Sequence, residues 1–229
     1  MSLDSPWPPG FAINEQPAVP DPELVEALQG VPSTMVSDCL GRITSAIGLR
    51  AYHGDLSLGM CGPAVTVRVR PGDNLMLHKA MTLAHPGEVI VVDAGGDLTT
   101  AVAGGLMRLS AIERGLGGFV IDGAIRDIAD WSAGELPVYA RGHVPRGPSK
   151  DGPGEINVPI ACAGLAVNPG DLMVGDADGV VAVPRDRLSE VLSGVRVKEQ
   201  EEREQRERPT ARQDDGTFDR ILRAKGCPV

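Results

Sequence analysis

The chain has 229 residues, 42% apolar and 23% charged, with a net charge of −9. Such a length buries the core of one domain without requiring a second, and the acidic balance argues against nonspecific nucleic-acid binding and against an anionic membrane surface. Cys39, Cys61, Cys162 and Cys227 form no CxxC pair, no run of 18 apolar residues occurs, and the first residues lack a basic and then apolar leader; a disulfide framework, a zinc knuckle and a membrane span are excluded, and a reducing cytoplasmic location is expected.

Residues 1–22 hold prolines at 6, 8, 9, 17, 20 and 22 and read as an extended arm that packs on the body or on a neighbour. Leu24, Val25 and Leu28 suggest a short helix after Asp21, and Pro32-Ser33-Thr34 offers an N-cap for a second one that Gly41 closes. Gly62–Val69 alternates as a strand does. After Pro71-Gly72, Asp73-Asn74 can cap a helix carrying Leu75, Leu77, Met81 and Leu83. Val89–Asp93 is an unbroken apolar run, as in a strand buried on both faces, and Ala94–Asp97 turns the chain. A helix is expected from about Ala101 to Arg114, then a buried strand at 118–121, a helix or turn over 128–134 and a short strand at 137–140. The Pro- and Gly-rich segment 141–160 reads as an irregular surface loop, and 170–184 as a β-hairpin. A helix from about Arg185 continues into the charged stretch 198–208, laced with Glu to Arg pairs, and the remainder is an arm reaching another subunit. The domain plan is therefore a Pro-rich arm (1–22), one α/β domain (23–197) and a charged helix and tail (198–229), with no internal repeat.

The chemistry concentrates where Gly104-Gly105-Leu106-Met107 is followed, a helix later, by Asp122-Gly-Ala-Ile-Arg126-Asp127. A buried strand cannot hold Asp122, Arg126 and Asp127 unpaired, so these charges are expected at its carboxyl end, facing a cavity. In an open α/β sheet ligands bind at that end, and backbone N–H groups of a Gly-Gly turn opening a helix receive a carboxylate. Arg126 would fork onto an anion and Asp127 would offer oxygen to a hard metal. A structural ion pair or helix cap at Arg126-Asp127 is the competing reading. GxGxxG and GxSxG are absent, which argues against a methyltransferase, a dehydrogenase or a serine hydrolase. Asp176-Ala-Asp178-Gly179 lacks the further acids of a calcium loop and reads as a turn. The histidines show no ligand spacing, although His78 could edge the site.

Thr34–Asp38, Gly62–Val67, Asp73-Asn74, Pro86–Asp93, Gly104–Met107, Asp122–Asp127 and Gly175–Pro184, in that order, resemble the RraA-like family over roughly residues 30–200. That family includes 4-hydroxy-4-methyl-2-oxoglutarate/4-carboxy-4-hydroxy-2-oxoadipate aldolases and the regulator of ribonuclease E activity, and was once mislabelled as menaquinone methyltransferases. The resemblance implies an α/β fold, an αββα sandwich with mixed sheets akin to swivelling phosphohistidine domains, in homotrimers or dimers of trimers with sites between subunits. It implies Mg²⁺ or Mn²⁺ at Asp127, a 2-keto acid substrate on Arg126, and Gly105, Leu106 and Met107 as the carboxylate cradle, with the Leu106 and Met107 N–H groups donating. Expected activities are pyruvate-releasing cleavage of 4-hydroxy-2-oxo acids and oxaloacetate decarboxylation, both through a metal-stabilised enolate; a regulatory, protein-binding trimer with little catalysis is the alternative. The aldolase signature, an acidic residue, twenty others, then Arg-Asp, departs here, because its acidic position is Gly105. Asp93, Asp97 or a neighbour's glutamate from 198–204 could replace that acid. Without it, decarboxylation, which needs no base, should survive better than aldol cleavage.

Overall fold

Residues 7–207 and 216–229 are described by a computed structural model. The strands are β1 (Phe11–Ile13), β2 (Arg50–Ala51), β3 (Met60–Val69), β4 (Val89–Asp93), β5 (Ala101–Ala103), β6 (Gly118–Ile125), β7 (Val138–His143), β8 (Gly154–Ile156), β9 (Ile160–Cys162), β10 (Leu165–Val167), β11 (Leu172–Asp176) and β12 (Gly179–Val183). The helices are α1 (Pro22–Leu28), α2 (Ser33–Cys39), α3 (Leu75–Leu83), α4 (Gly105–Glu113), α5 (Ile128–Trp131), α6 (Leu188–Glu207) and α7 (Thr217–Ala224).

Strands β3, β4, β6 and β7 run parallel in the centre of a mixed sheet whose order is β1-β8-β3-β4-β6-β7-β2. β3 serves two partners along one side, antiparallel β11 at Met60–Pro63 and antiparallel β8 at Val67–Val69. The β11–β12 hairpin thereby folds over the central sheet as a second β layer.

Side-chain alternation explains the layering. In β4, Ile90 and Val92 point into a core shared with Leu77 and Met81 of α3 and Met107 and Ala111 of α4, while Val89 and Val91 point into a second core with Met173, Val180 and Ala182 of the hairpin. On the hairpin's far face, Leu172, Val174, Val181 and Val183 pack against Leu28, Val36, Leu188, Val191 and Val195 of α1, α2 and α6. Three cores separate four layers, α-β-β-α, in a mixed α/β fold.

Several local expectations are corrected. Ala101–Ala103 is not helical: the triplet is fully buried and pairs with the end of β6, so α4 begins only after Gly104, whose φ of −156° is extended. β6 runs on to Ile125, so Asp122 lies within the sheet rather than at the cavity, paired with Arg141 Nε at 2.5 Å and accepting from the Ala163 N–H at 2.7 Å. At α3 the expected Asp73-Asn74 cap is present with its roles divided: Asn74 holds the N-cap position, while the Asp73 carboxylate supplies the bond, accepting from the Leu75 N–H at 2.9 Å. Pro32 takes the N-cap position of α2, while the Ser33 hydroxyl donates to Asp176. Segment 141–160 is not wholly irregular, since β7 extends to His143 and Gly154–Ile156 forms β8. In the N-terminal arm, β1 pairs in parallel with β8; the beginning of that arm (1–6) and residues 208–215 of the tail lie outside the described residues.

Candidate functional site

The site grows from two neighbouring chain reversals. At the end of β6, the Arg126 N–H donates to Ala103 O at 2.9 Å and Arg126 O accepts from Trp131 Nε1 at 2.9 Å. Asp127 then adopts φ 60°, ψ 48°, a left-handed conformation that Asp tolerates better than most residues, and this turns the chain into α5. Strain at that one residue aims Arg126 and Asp127 outward from an otherwise buried strand.

Gly104 has no side chain with which to cap α4, and Asp127 performs that task from across the site, its Oδ2 accepting the Gly105 N–H at 2.9 Å. A Cβ on Gly104 would sit 2.5 Å from Asp127 Oδ2 and 3.0 Å from Arg126 Cγ. One on Gly105 would run into the Asp130 carboxylate. Gly104 is therefore required by close approach of the Arg-Asp turn, whereas at Gly105 the atom met is the far end of the Asp130 side chain, which can move aside. Arg126 Nε stands 3.7 Å from Asp127 Oδ2, with side chains 42% and 44% exposed, so the pair is loose enough for each partner to engage a ligand.

The adjoining cavity, about 140 Å³, is lined by Asn74, His78, Val102, Leu106, Arg126, Asp127 and Lys150, among others. Its volume lies well below the about 300–1,000 Å³ typical of drug-sized ligands and suits a short acid. Of the amides opening α4, Gly105's goes to Asp127 and Met107's goes to Gly104 O at 3.0 Å. Leu106 is left with an amide that has no partner among the described residues, and its side chain, 83% exposed, points away from the core. Burial, with the nearby Lys150 charge, lowers the pKa of His78 below the ordinary imidazole value. Asn74 is 3% exposed; its Nδ2 donates to Val102 O at 2.9 Å while its Oδ1 has no partner. A larger cleft of about 510 Å³ elsewhere, lined by Glu15, Asp171, Asp186 and Arg185, sets three carboxylates against one guanidinium and does not suit an anion.

The acid missing at position 105 has a replacement in space. Asp130, in the first turn of α5, sends its carboxylate to the point where a side chain on Gly105 would begin. Asp93 instead pairs with Arg68 at 3.7 Å and accepts from the Gly95 N–H, and Asp97 accepts from Thr99; none of the three acids lines the cavity itself, but Asp130 alone stands against Gly105, between the lining residues Gly104 and Leu106. Sequence reasoning passed over Asp130, Asn74 and Lys150. The available signal was the Arg126-Asp127-x-x-Asp130 spacing, which places both acids on one side of a helical turn.

No group of three His, Cys, Asp or Glu residues poised for a metal occurs among the described residues. A small hard cation does not need one, because Mg²⁺ binds through one or two carboxylates and completes its shell with water and substrate oxygens. Asp127, with one oxygen outside its bond to Gly105, and Asp130 beside it fit that donor set.

Known proteins share this sequence and this fold. The profile of the family described as RraA-like, Aldolase/RraA, matches residues 33–182. A Halalkalibacterium halodurans protein provisionally named 4-hydroxy-4-methyl-2-oxoglutarate aldolase is 42% identical over 186 residues, covering 81% of this chain and 88% of its own. A Thermus thermophilus 4-hydroxy-4-methyl-2-oxoglutarate aldolase is 36% identical over 124 residues, 54% of this chain and 73% of its own. The crystal structure of Streptomyces coelicolor RraAS2, described as an unusual member of the RNase ES inhibitor RraA family, superposes with a TM-score of 0.75 at 31% identity, covering 83% of this chain and 99% of that one. Four layers, an Arg-Asp turn facing the amino end of α4, and a family profile spanning both lead to one assignment: this chain belongs to the RraA-like family.

Proposed function

We propose that the cavity is the active site of a divalent-metal-dependent lyase that releases pyruvate from 4-hydroxy-2-oxo acids such as 4-hydroxy-4-methyl-2-oxoglutarate, and that also decarboxylates oxaloacetate. The observation that carries this is the convergence of Arg126, Asp127 and Asp130 on the Gly104-Gly105 opening of α4. In aldol cleavage the C4 hydroxyl loses its proton, the C3–C4 bond breaks, and the electron pair moves toward the keto oxygen, leaving pyruvate enolate; protonation at C3 completes the reaction. The Leu106 amide and Lys150 hold the substrate carboxylate near the amino end of α4. Arg126 sets its guanidinium against the oxygen on which charge develops, a contribution of several kcal/mol in such sites. Asp130 orders the water that carries the hydroxyl proton away. Asp127, with Asp130 beside it, would hold Mg²⁺ or Mn²⁺, which when bound would supply positive charge for the developing oxyanion. The same reading includes a cytoplasmic homotrimer or dimer of trimers.

The test is pyruvate release from both substrates with Mg²⁺ or Mn²⁺, with excess chelator, and in Asp127→Asn. Asn is the informative change because it tolerates the left-handed backbone and still accepts the Gly105 N–H. The expected outcome is metal-dependent turnover that the variant loses while it still folds. A folded wild type silent on both substrates would overturn the lyase reading in favour of a protein-binding regulator.

A further inference from the structure

Opposite Arg126 the cavity has a wall with no regular secondary structure. Pro148 and Lys150 belong to segment 144–153, whose only ladder contact is a single bridge between Ser149 and Asp73. A segment holding three prolines and two glycines does not take one shape unaided, and ordering it costs conformational entropy. Yet it lies close against the site: a Cβ on Gly147 would come within 2.5 Å of Arg126 Nη1.

Backbone bonds hold the two ends of this wall, from the Val144 N–H to Ile125 O at 3.0 Å, the Ala101 N–H to Arg146 O at 2.9 Å and the Arg70 N–H to Pro153 O at 3.2 Å, and its middle is held by a carboxylate that the mechanism above does not use. Asp73 is 1% exposed. Its Oδ2 accepts from the Ser149 hydroxyl at 2.6 Å and the Asp151 N–H at 2.7 Å, while Arg70 Nη2 stands 3.3 Å away. Its Oδ1 accepts from the Leu75 N–H at 2.9 Å. Backbone bonds run alongside, from the Asn74 N–H to Ser149 O at 3.0 Å and from the Ser149 N–H to Gly72 O at 2.9 Å. One side chain thus ties the first turn of α3, the helix that brings Asn74 and His78 to the cavity, to the segment that brings Pro148 and Lys150. Burial alone would raise the Asp73 pKa; the donors from Ser149, Asp151, Leu75 and Gly152 outweigh it and hold the carboxyl at about 2, ionised throughout the working range.

We propose that Asp73 is a positioning residue that clamps segment 144–153 through Ser149 and Asp151, fixing Lys150 at the cavity and so setting affinity for the anionic substrate without touching the reacting atoms. The inference rests on the lyase reading only for its kinetic test.

The experiment uses the full chain with Mg²⁺ and compares wild type, Asp73→Asn, Ser149→Ala, Lys150→Ala and the Ser149→Ala/Lys150→Ala double variant. Ser149→Ala guards against Asp73→Asn failing to fold, since it removes one donor and leaves the buried acid in place. Backbone hydrogen exchange on ligand-free protein should speed up within 144–153 in Ser149→Ala, more so in Asp73→Asn, with β4 and β6 unchanged. KM for oxaloacetate should rise roughly 2- to 10-fold in Ser149→Ala, as expected for ordering one or two side chains, with kcat within about twofold of wild type. In the Lys150→Ala background the Ser149 change should add no further rise, because the clamp acts through Lys150. Unchanged exchange in 144–153, a fall in kcat at constant KM, or an equal rise in the Lys150→Ala background would each overturn the clamp. A wild type that turns over nothing defeats the lyase reading instead, and the exchange measurement then decides the clamp alone.

Discussion

Arg126 is fixed by its backbone and left free at its tip. Its N–H and C=O are both engaged, while its side chain keeps 42% of its surface in contact with solvent. Arg126→Lys keeps the charge but loses the planar fork, and should lower kcat/KM for oxaloacetate by about 100-fold with little change in melting temperature. Asp130 yields a sharper forecast. Asp130→Asn should depress cleavage of 4-hydroxy-4-methyl-2-oxoglutarate more than oxaloacetate decarboxylation, because only the former must dispose of a hydroxyl proton; equal losses would show that this acid serves another purpose. Gly105→Ala should imitate it at little cost in stability, since Ala suits a helix start and the group displaced is the end of a mobile side chain. The Arg-Asp turn and the Gly-Gly turn were both legible in the chain because glycine pairs and charges ending an apolar run are local signals. Asp130 was not: a carboxylate borrowed from a different helix has no signature at the position it fills, and only three-dimensional proximity reveals it.

Helices α4 and α5 act as a pair at the scale of elements. Trp131 packs edge-on against Phe119, with ring centroids 5.7 Å apart, and its indole N–H reaches back to Arg126 O. Arg108, 5% exposed on α4, donates to Gly134 O at 2.8 Å just beyond α5. Trp131→Phe keeps a ring against Phe119 but deletes the hydrogen bond and part of a fully buried side chain, so it should cost about 2–3 kcal/mol in urea unfolding and also reduce turnover, by releasing the carbonyl that aims Arg126. Turnover unaffected by that change would mean that the strand alone sets Arg126. Strands at Val89–Asp93 and Leu172–Val183 were readable from their β-branched runs and turn residues. The misplaced start of α4 has a plain cause: Ala101-Val-Ala has a weak strand signal by itself, and only its pairing with the end of β6 outweighs alanine's preference for helix.

Across the whole molecule, one buried histidine couples the fold to pH. His53 is 2% exposed, accepts the Val138 N–H on Nδ1 at 3.1 Å and lies edge-on to Tyr139, with ring centroids 5.2 Å apart. Burial lowers its pKa below the ordinary value, as it does for His78. The unfolded chain therefore takes up these protons first. The stability they contribute is complete above about pH 6.5 and is lost as pH falls from there toward the folded-state values. The urea midpoint should drop between pH 7.5 and 5.5, and His53→Gln, which keeps an acceptor for Val138, should flatten that dependence. The four-layer plan was legible only through family resemblance, because periodicity distinguishes buried from half-buried strands but does not say which cores they share.

The ends of the central sheet have a consequence of their own. Along its main path the borders are the three-residue β1 and the two-residue β2, the first contributed by the Pro-rich leading segment. Borders so short expose few unpaired peptide groups, so another chain finds almost no template on which to extend the ladder. At these two borders the sheet is thereby guarded against the open-ended growth that a longer free strand would invite.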